Sequence, residues 1–300
     1  MEPTRSKATT IALIGLVVGC SRHNPAPSGA SDAAPTTAAP APAPPAVPAP
    51  PTLTGFPPQV DLTDPPADEA EAGARTTKLG VVSIPLGAHE RRPIMIALHG
   101  GSDHPEWACN AWRGITNAYP FLVCPHGVGT NEASLAWSSP ADTKLRVARA
   151  IAATRRMFGS WVLEGSIVIV GFSMGATQAA LLAQSEPGRY RRVVLAESAY
   201  APEAAMTFAS PWAAGGGQRA MFLCTTLGCE APYRAAAKNL ARHKVAVRLN
   251  IAGTTEHGMW EVVVQSMRRD WSWLVEGADG WESYVPPRED APLPGKTESF

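Results

Sequence analysis

The chain of 300 residues carries no charge excess, with 26 Lys and Arg set against 26 Asp and Glu. Affinity for nucleic acid or an anionic surface draws on a basic excess, so neither partner is expected. The early apolar run, Ile11 to Gly19, is too short to span a bilayer as a mature helix. Cysteine is scarce, five in all. Cys224 and Cys229 lie close together, but no second pair matches them, so a structural zinc site is not expected. No internal repeat is visible. Proline is the opposite case, with 29 residues concentrated toward the N-terminus.

The first twenty residues read as an export signal. Arg5 and Lys7 precede the apolar run, which ends in Val17-Val18-Gly19-Cys20. That ending resembles a bacterial lipobox. The resemblance implies a lipoprotein signal over residues 1–20, with Cys20 lipidated and left as the first mature residue, and anchoring in the cell envelope. Ser21 after the Cys resembles outer-membrane sorting. The membrane is then a partner through the lipid alone. From Pro25 to Pro51 most residues are Pro or Ala, a composition that favours extended polyproline geometry and buries no core. Residues 21–75 are therefore expected to form a disordered, stalk-like linker. One domain is expected over 76–281, and a polar, flexible tail over 282–300. The remaining cysteines, Cys109, Cys124, Cys224 and Cys229, are even in number, which suits disulfides in an oxidising compartment. Cys109–Cys124 and Cys224–Cys229 are the favoured pairs among three possible connectivities.

Within the domain, apolar strand-like runs alternate with helical patterns. Strands are predicted at 80–84, 94–98, 121–124, 166–170, 192–196, 221–225 and 245–251. Helices are predicted at 107–118, 142–158, 174–184, 233–243 and 260–275, the second of them capped by Asp142 and packed through Leu145, Ala148, Ile151 and Ala152. Runs such as Ile94-Met95-Ile96-Ala97-Leu98 are apolar throughout, as in parallel strands covered on both faces. The order predicts a three-layer α/β domain with a mainly parallel sheet flanked by helices.

The decisive stretch is Gly171-Phe172-Ser173-Met174-Gly175, which matches G-x-S-x-G between a buried strand and an Ala/Leu-rich helix. A serine on such a turn presents its hydroxyl, and the flanking glycines leave room for the tight backbone. The helix N-terminus beneath it favours negative charge. With the upstream Leu98-His99-Gly100-Gly101-Ser102, the chain from about Val81 to Trp271 resembles the α/β-hydrolase superfamily, in its polyhydroxybutyrate depolymerase and feruloyl esterase-like branch. The resemblance makes Ser173 the nucleophile and the backbone N–H groups of Gly101 and Met174 the oxyanion hole. It makes His257, between the last strand and last helix, the base. The superfamily order of Ser, acid and His leaves two candidates for the acid. Glu230, after strand 221–225, is preferred. Glu197, at the end of strand 192–196, competes. His104 and His126 are candidates for substrate contact, and Trp107, Trp112, Trp137, Trp212 and Trp260 for bordering the site.

The implied activity is cleavage of short-chain or polymer-derived carboxylic esters through an acyl-enzyme, with no metal or organic cofactor. A serine peptidase or acyltransferase shares the triad, and an inactive surface binding module shares the scaffold. Oligomeric state is not readable from the sequence.

Overall fold

The computed structural model describes residues 49–64, 77–129, 134–198, 207–226, 228–253 and 256–300. The signal segment, Cys20 and nearly all of the Pro/Ala stretch lie outside them. The described residues belong to one compact unit, Val47–Phe300. Among them, no helix is long and apolar enough to cross a membrane.

Among the described residues, nine strands form one sheet. They are β1 (Gln59–Thr63), β2 (Lys78–Ser83), β3 (Arg92–Leu98), β4 (Phe121–Pro125), β5 (Val162–Phe172), β6 (Arg192–Ala196), β7 (Arg219–Cys224), β8 (Ala246–Ile251) and β9 (Lys296–Ser299). Their order is β1-β2-β4-β3-β5-β6-β7-β8-β9. The six strands from β4 to β8 in that order are parallel, while β1, β2 and β9 run antiparallel to their neighbours. The helices are α1 (Pro105–Ile115), α2 (Pro140–Phe158), α3 (Met174–Ser185), α4 (Ala209–Ala214), α5 (Glu230–Arg242) and α6 (Glu261–Val275).

Strand alternation divides the core in two. Ile94, Ile96, Leu98, Ile167 and Ile169 face one side, against Val147 of α2, Ala179 of α3 and Leu240 of α5. Met95, Ala97, Val168 and Val170 face the other, against Trp112 of α1 and Met267 and Trp271 of α6. The uninterrupted apolar strands of the sequence are thus the middle layer of three. Burying each large side chain contributes about 1.5–3 kcal/mol.

Helix α2 differs from expectation at its start and in its buried face. Ser139 caps it, its Oγ accepting the Asp142 N–H at 3.2 Å, with Pro140 in the first turn. Asp142 instead accepts from Arg146 one turn on, at 2.7 Å. The buried stripe is Thr143, Val147, Ala150, Ile151, Ala153, Thr154 and Phe158, while Leu145 is 56 % exposed. Threonines fill this stripe because their hydroxyls are satisfied inside the protein: Thr154 Oγ1 donates to Ala150 O at 2.9 Å and Thr143 Oγ1 to Gln178 Oε1 at 3.0 Å.

Both edge strands fall in segments expected to be loose. β1 pairs with β2 and seats Leu62, fully buried, within the span assigned to the linker. β9 orders the tail by pairing with β8. Asp270 of α6, 1 % exposed, accepts from Arg248 at 2.9 Å, Asn250 at 2.8 Å and Thr297 at 2.6 Å, binding helix, β8 and β9 together. Arg234 grips Glu298 through two bonds of 2.7 Å. The tail composition is polar because edge strands pair through backbone and show side chains to water.

The disulfides are Cys109–Cys124, with Cα atoms 5.9 Å apart, and Cys224–Cys229, 5.6 Å apart. These are the two favoured pairings.

Candidate active site

The order in which strands are added reverses at β3, since β4 lies on one side of β3 and β5 on the other, all three parallel. At such a switch point a crevice opens beyond the carboxyl ends of the strands. The register brings those ends level: Leu98 pairs with Gly171, Phe172 with Ala196, Ala196 with Leu223, and Cys224 with Ile251. Gly101, Ser173, Met174, Glu197, Glu230 and His257 each follow one of these ends.

Ser173 sits between β5 and α3 at φ 52° and ψ −118°, a conformation that strains any residue with a Cβ. Its N–H donates to Ala196 O at 2.8 Å, which fixes the bend. A Cβ on Gly171 would strike the Gly175 carbonyl, and one on Gly175 would strike the carbonyls of Leu98 and His99. Gly175→Ala is accordingly expected to destabilise the fold by about 1–3 kcal/mol or more, because the clash is with backbone. Thermal denaturation checks this, and an unchanged melting temperature contradicts it.

The loop from His99 to His104 forms the opposite wall. Gly100 N–H donates to Asp103 Oδ2 at 3.1 Å, and His104 N–H to Asp103 Oδ1 at 2.7 Å. His99 is fully buried, stacked on Trp137 with ring centroids 4.6 Å apart, and Trp137 Nε1 donates to His99 O at 2.8 Å. His99 Nδ1 lies 2.7 Å from Gly100 O. Burial pushes the His99 imidazole below its ordinary pKa, so it is neutral, and a carbonyl partner requires the proton on Nδ1. A Cβ on Gly101 would lie 3.3 Å from Met174 Cε, so the two expected oxyanion donors belong to facing segments. Met174 is the first residue of α3, where N–H groups have no partner within the helix.

A cavity of about 360 Å³ lies between these walls. Ser173, His257, Gly100, Gly101, Trp107 and Trp260 are among the residues lining it. His257 Nδ1 lies 3.3 Å from Glu197 Oε2, and the imidazole also packs on Phe172, centroids 4.8 Å apart. The expected acid, Glu230, is elsewhere. It begins α5 and pairs with Arg234 one turn on, at 3.3 Å. This corrects the preference for Glu230.

The reason lies in the turn after β7. The Cys224–Cys229 disulfide closes it tightly, so the turn offers amides where a carboxylate was expected. Thr225 and Thr226 N–H groups both donate to Glu197 Oε1, the second at 2.8 Å, and Thr226 Oγ1 donates to Oε2 at 3.0 Å. Glu197 itself is 3 % exposed and held at φ 49°. Burial alone would raise its pKa. The hydrogen bonds from His257 and the two amides outweigh that and hold the carboxyl at about 2. It is therefore ionised and can only accept, so His257 Nδ1 carries the proton that faces it. Thr225 Oγ1 donates to Glu256 O at 2.8 Å, tying the histidine loop to the same turn.

A pH dependence follows. Folding lowers the Glu197 carboxyl from its ordinary 4.5 to about 2, so the unfolded chain binds this proton more tightly. The group stabilises the fold fully above pH 4.5, and loses that effect as pH falls toward 2. The melting-temperature difference between wild type and Glu197→Gln should be largest near neutrality and shrink below pH 4.5. A difference that stays constant across that range contradicts the account.

Of the five tryptophans named from sequence, Trp107, Trp112 and Trp260 line the cavity. Trp137 braces His99, and Trp212 is buried with Nε1 donating to Tyr190 O at 2.6 Å. His104 packs on Trp107 and His126 turns to Gly127 O, and neither is among the lining residues. Among the described residues, one group of possible metal donors converges within 4.8 Å: Glu197, Cys224 and Cys229. With the two sulfurs bonded to each other, neither is a thiolate ligand.

No protein-family model and no curated protein matches the chain. Solved structures do. FphF, a fluorophosphonate-binding serine hydrolase of Staphylococcus aureus, superposes with a TM-score of 0.51 at 13% identity, covering 73% of this chain and 98% of its own. A ferulic acid esterase superposes with a TM-score of 0.51 at 12% identity, covering 72% and 98%. The sheet order, the strained turn at Ser173 and these superpositions together show that this chain has the α/β-hydrolase fold.

Proposed function

We propose that the protein is a serine hydrolase that cleaves carboxylic esters through an acyl-enzyme. The observation that carries this is the buried, ionised Glu197 on His257 Nδ1, at the rim of a cavity that Ser173 also lines. His257 Nε2 takes the Ser173 proton as Oγ attacks the ester carbonyl. The developing oxyanion is held by Gly101 and Met174 N–H groups, each contributing a few kcal/mol of barrier lowering. His257 returns the proton to the leaving alcohol, and water activated by the same imidazole releases the acid. Glu197 holds the tautomer and stabilises the imidazolium. Fold neighbours named as a serine hydrolase and a ferulic acid esterase support this reading.

The cavity is near the small end for ligand sites. Trp107 and Trp260, 61 % and 56 % exposed, offer flat apolar faces beside it. Short acyl esters and the exposed ends of ester polymers fit such a cleft. Export and anchoring through Cys20 complete the proposal, and the two disulfides accord with an oxidising compartment.

The test is a series of p-nitrophenyl esters of rising acyl length beside peptide p-nitroanilides. Acetate and butyrate esters are expected to exceed long-chain esters in kcat/KM by roughly tenfold or more, with the anilides unturned. Turnover of anilides alone would make the protein a peptidase and overturn the ester assignment.

A further inference from the structure

The turn that holds Glu197 is itself closed by a bond that a reductant can open. Cys224 is 1 % exposed at the end of β7, and Cys229 stands at the start of α5. The Cys229 sulfur lies 2.9 Å from Glu197 Oε1. Being part of a disulfide it carries no proton, so this is a contact of sulfur with a carboxylate oxygen. A second cavity, of about 220 Å³, opens on this side of the acid. Glu197, Ser198, Thr226, Gly228 and Cys229 line it, so a small solute reaches both the sulfur and the carboxylate without passing through the ester site.

We propose that Glu197, Cys224 and Cys229 form a conditional cation site: once the disulfide is reduced, a thiophilic divalent ion such as zinc or cadmium binds the two thiolates and the carboxylate, and the acid partner of His257 is weakened. The catalytic consequence rests on the proposed triad, while the cation site does not. The three donor atoms already lie within 4.8 Å of one another, a spread that one ion spans with metal–sulfur bonds of about 2.3 Å after small shifts. The four residues between the two cysteines match the spacing of a zinc-binding cysteine pair. The sequence lacks a second such pair, and the fold supplies the third ligand from the end of β6.

The chemistry balances with a dithiol as reductant. Its thiolate attacks the accessible Cys229 sulfur, the S–S bond breaks, and Cys224 leaves as a thiolate that takes a proton. The second thiol of the reductant then displaces Cys229 from the mixed disulfide, so the reductant is oxidised to a cyclic disulfide and the protein gains two thiols. Binding of the ion releases both thiol protons to water. Glu197 then donates a lone pair from Oε1, the oxygen beside the Cys229 sulfur, to the metal, which draws charge from the carboxylate and weakens the hold of Oε2 on the Nδ1 proton. Reduction alone slackens the turn that presents the Thr225 and Thr226 amides.

The experiment uses the full chain, with dithiothreitol as reductant and cadmium chloride as probe. Alkylation and peptide mapping report which disulfide has opened. Reduction of Cys224–Cys229 is expected to lower kcat on p-nitrophenyl acetate roughly tenfold with little change in KM, since the lost contact acts on the transition state. Cadmium should then bind one ion per chain, seen as cadmium–thiolate ultraviolet absorption, and remove most remaining activity. Chelation followed by reoxidation should restore it. A double variant, Cys224→Ala with Cys229→Ala, should show no such absorption and no added inhibition by cadmium. Should that variant fail to fold, mapped partial reduction of the wild type serves instead, with cadmium bound tracking the fraction of Cys224–Cys229 opened. Mapped reduction of this pair without cadmium–thiolate absorption overturns the proposal, as does cadmium binding that leaves kcat unchanged in a protein whose Ser173 is active. If the oxidised protein has no esterase activity but the reduced protein binds cadmium, the triad fails and the cation site stands.

Discussion

Ser173→Ala is expected to lower kcat/KM for p-nitrophenyl acetate by on the order of 10⁵-fold while leaving the melting temperature nearly unchanged. The two halves of that result have separate causes. The hydroxyl is the attacking atom, so its loss ends acylation and leaves only the oxyanion donors to assist water. The backbone strain at φ 52° belongs to any residue with a Cβ, and Ala keeps it, so the bend between β5 and α3 costs the same to form. The N–H to Ala196 O, which pins the bend, is also kept. A variant that unfolds at lower temperature and loses activity in proportion would assign Ser173 to structure. A variant with activity intact would remove it from the chemistry.

The second large effect separates the two acids. Glu197→Gln should reduce kcat by roughly 10³–10⁴-fold, as removal of a triad carboxylate does elsewhere. Gln presents an NH₂ where the carboxylate accepted, so it either turns a donor toward the His257 Nδ1 proton or turns one toward the Thr225 and Thr226 amides. Both arrangements leave like groups facing. Glu230→Gln should change kcat by no more than about twofold, because it breaks only an i,i+4 pair with Arg234 at the surface. Arg234 keeps Glu298 as its partner. Parallel kinetics on the two variants settle the matter, and a larger loss for Glu230→Gln would contradict the geometry.

The parts of this fold that the sequence announced are those with a local physical signature. Apolar strands buried on both faces, the glycines around Ser173 and the spacing of the cysteines each carry their cause within a few residues. The parts it concealed depend on distant partners. β1 and β9 read as loose because an edge strand needs only backbone pairing, and its side chains look like those of a loop. The buried stripe of α2 was displaced because Thr143 and Thr154 find hydroxyl partners that a hydropathy pattern does not show. Glu197 was outranked by Glu230 because the donors that hold it, Thr225, Thr226 and His257, lie 28, 29 and 60 residues away. One local signal did exist. Glu197 continues the fully buried strand Arg192–Ala196 with no basic residue beside it, and a carboxylate in that setting must find donors elsewhere. The disulfide was legible, but its role in shaping the turn that cradles the acid emerges only when β6 and β7 lie side by side.

The central claim is that the hydroxyl of Ser173 is made nucleophilic by an imidazole oriented by Glu197. Fluorophosphonate labelling of the purified oxidised protein, with peptide mapping of the adduct, tests it most directly. The account predicts one adduct, on Ser173, formed far more slowly after His257→Ala or Glu197→Gln. Folded protein that takes no label, or takes it on another residue, would contradict it.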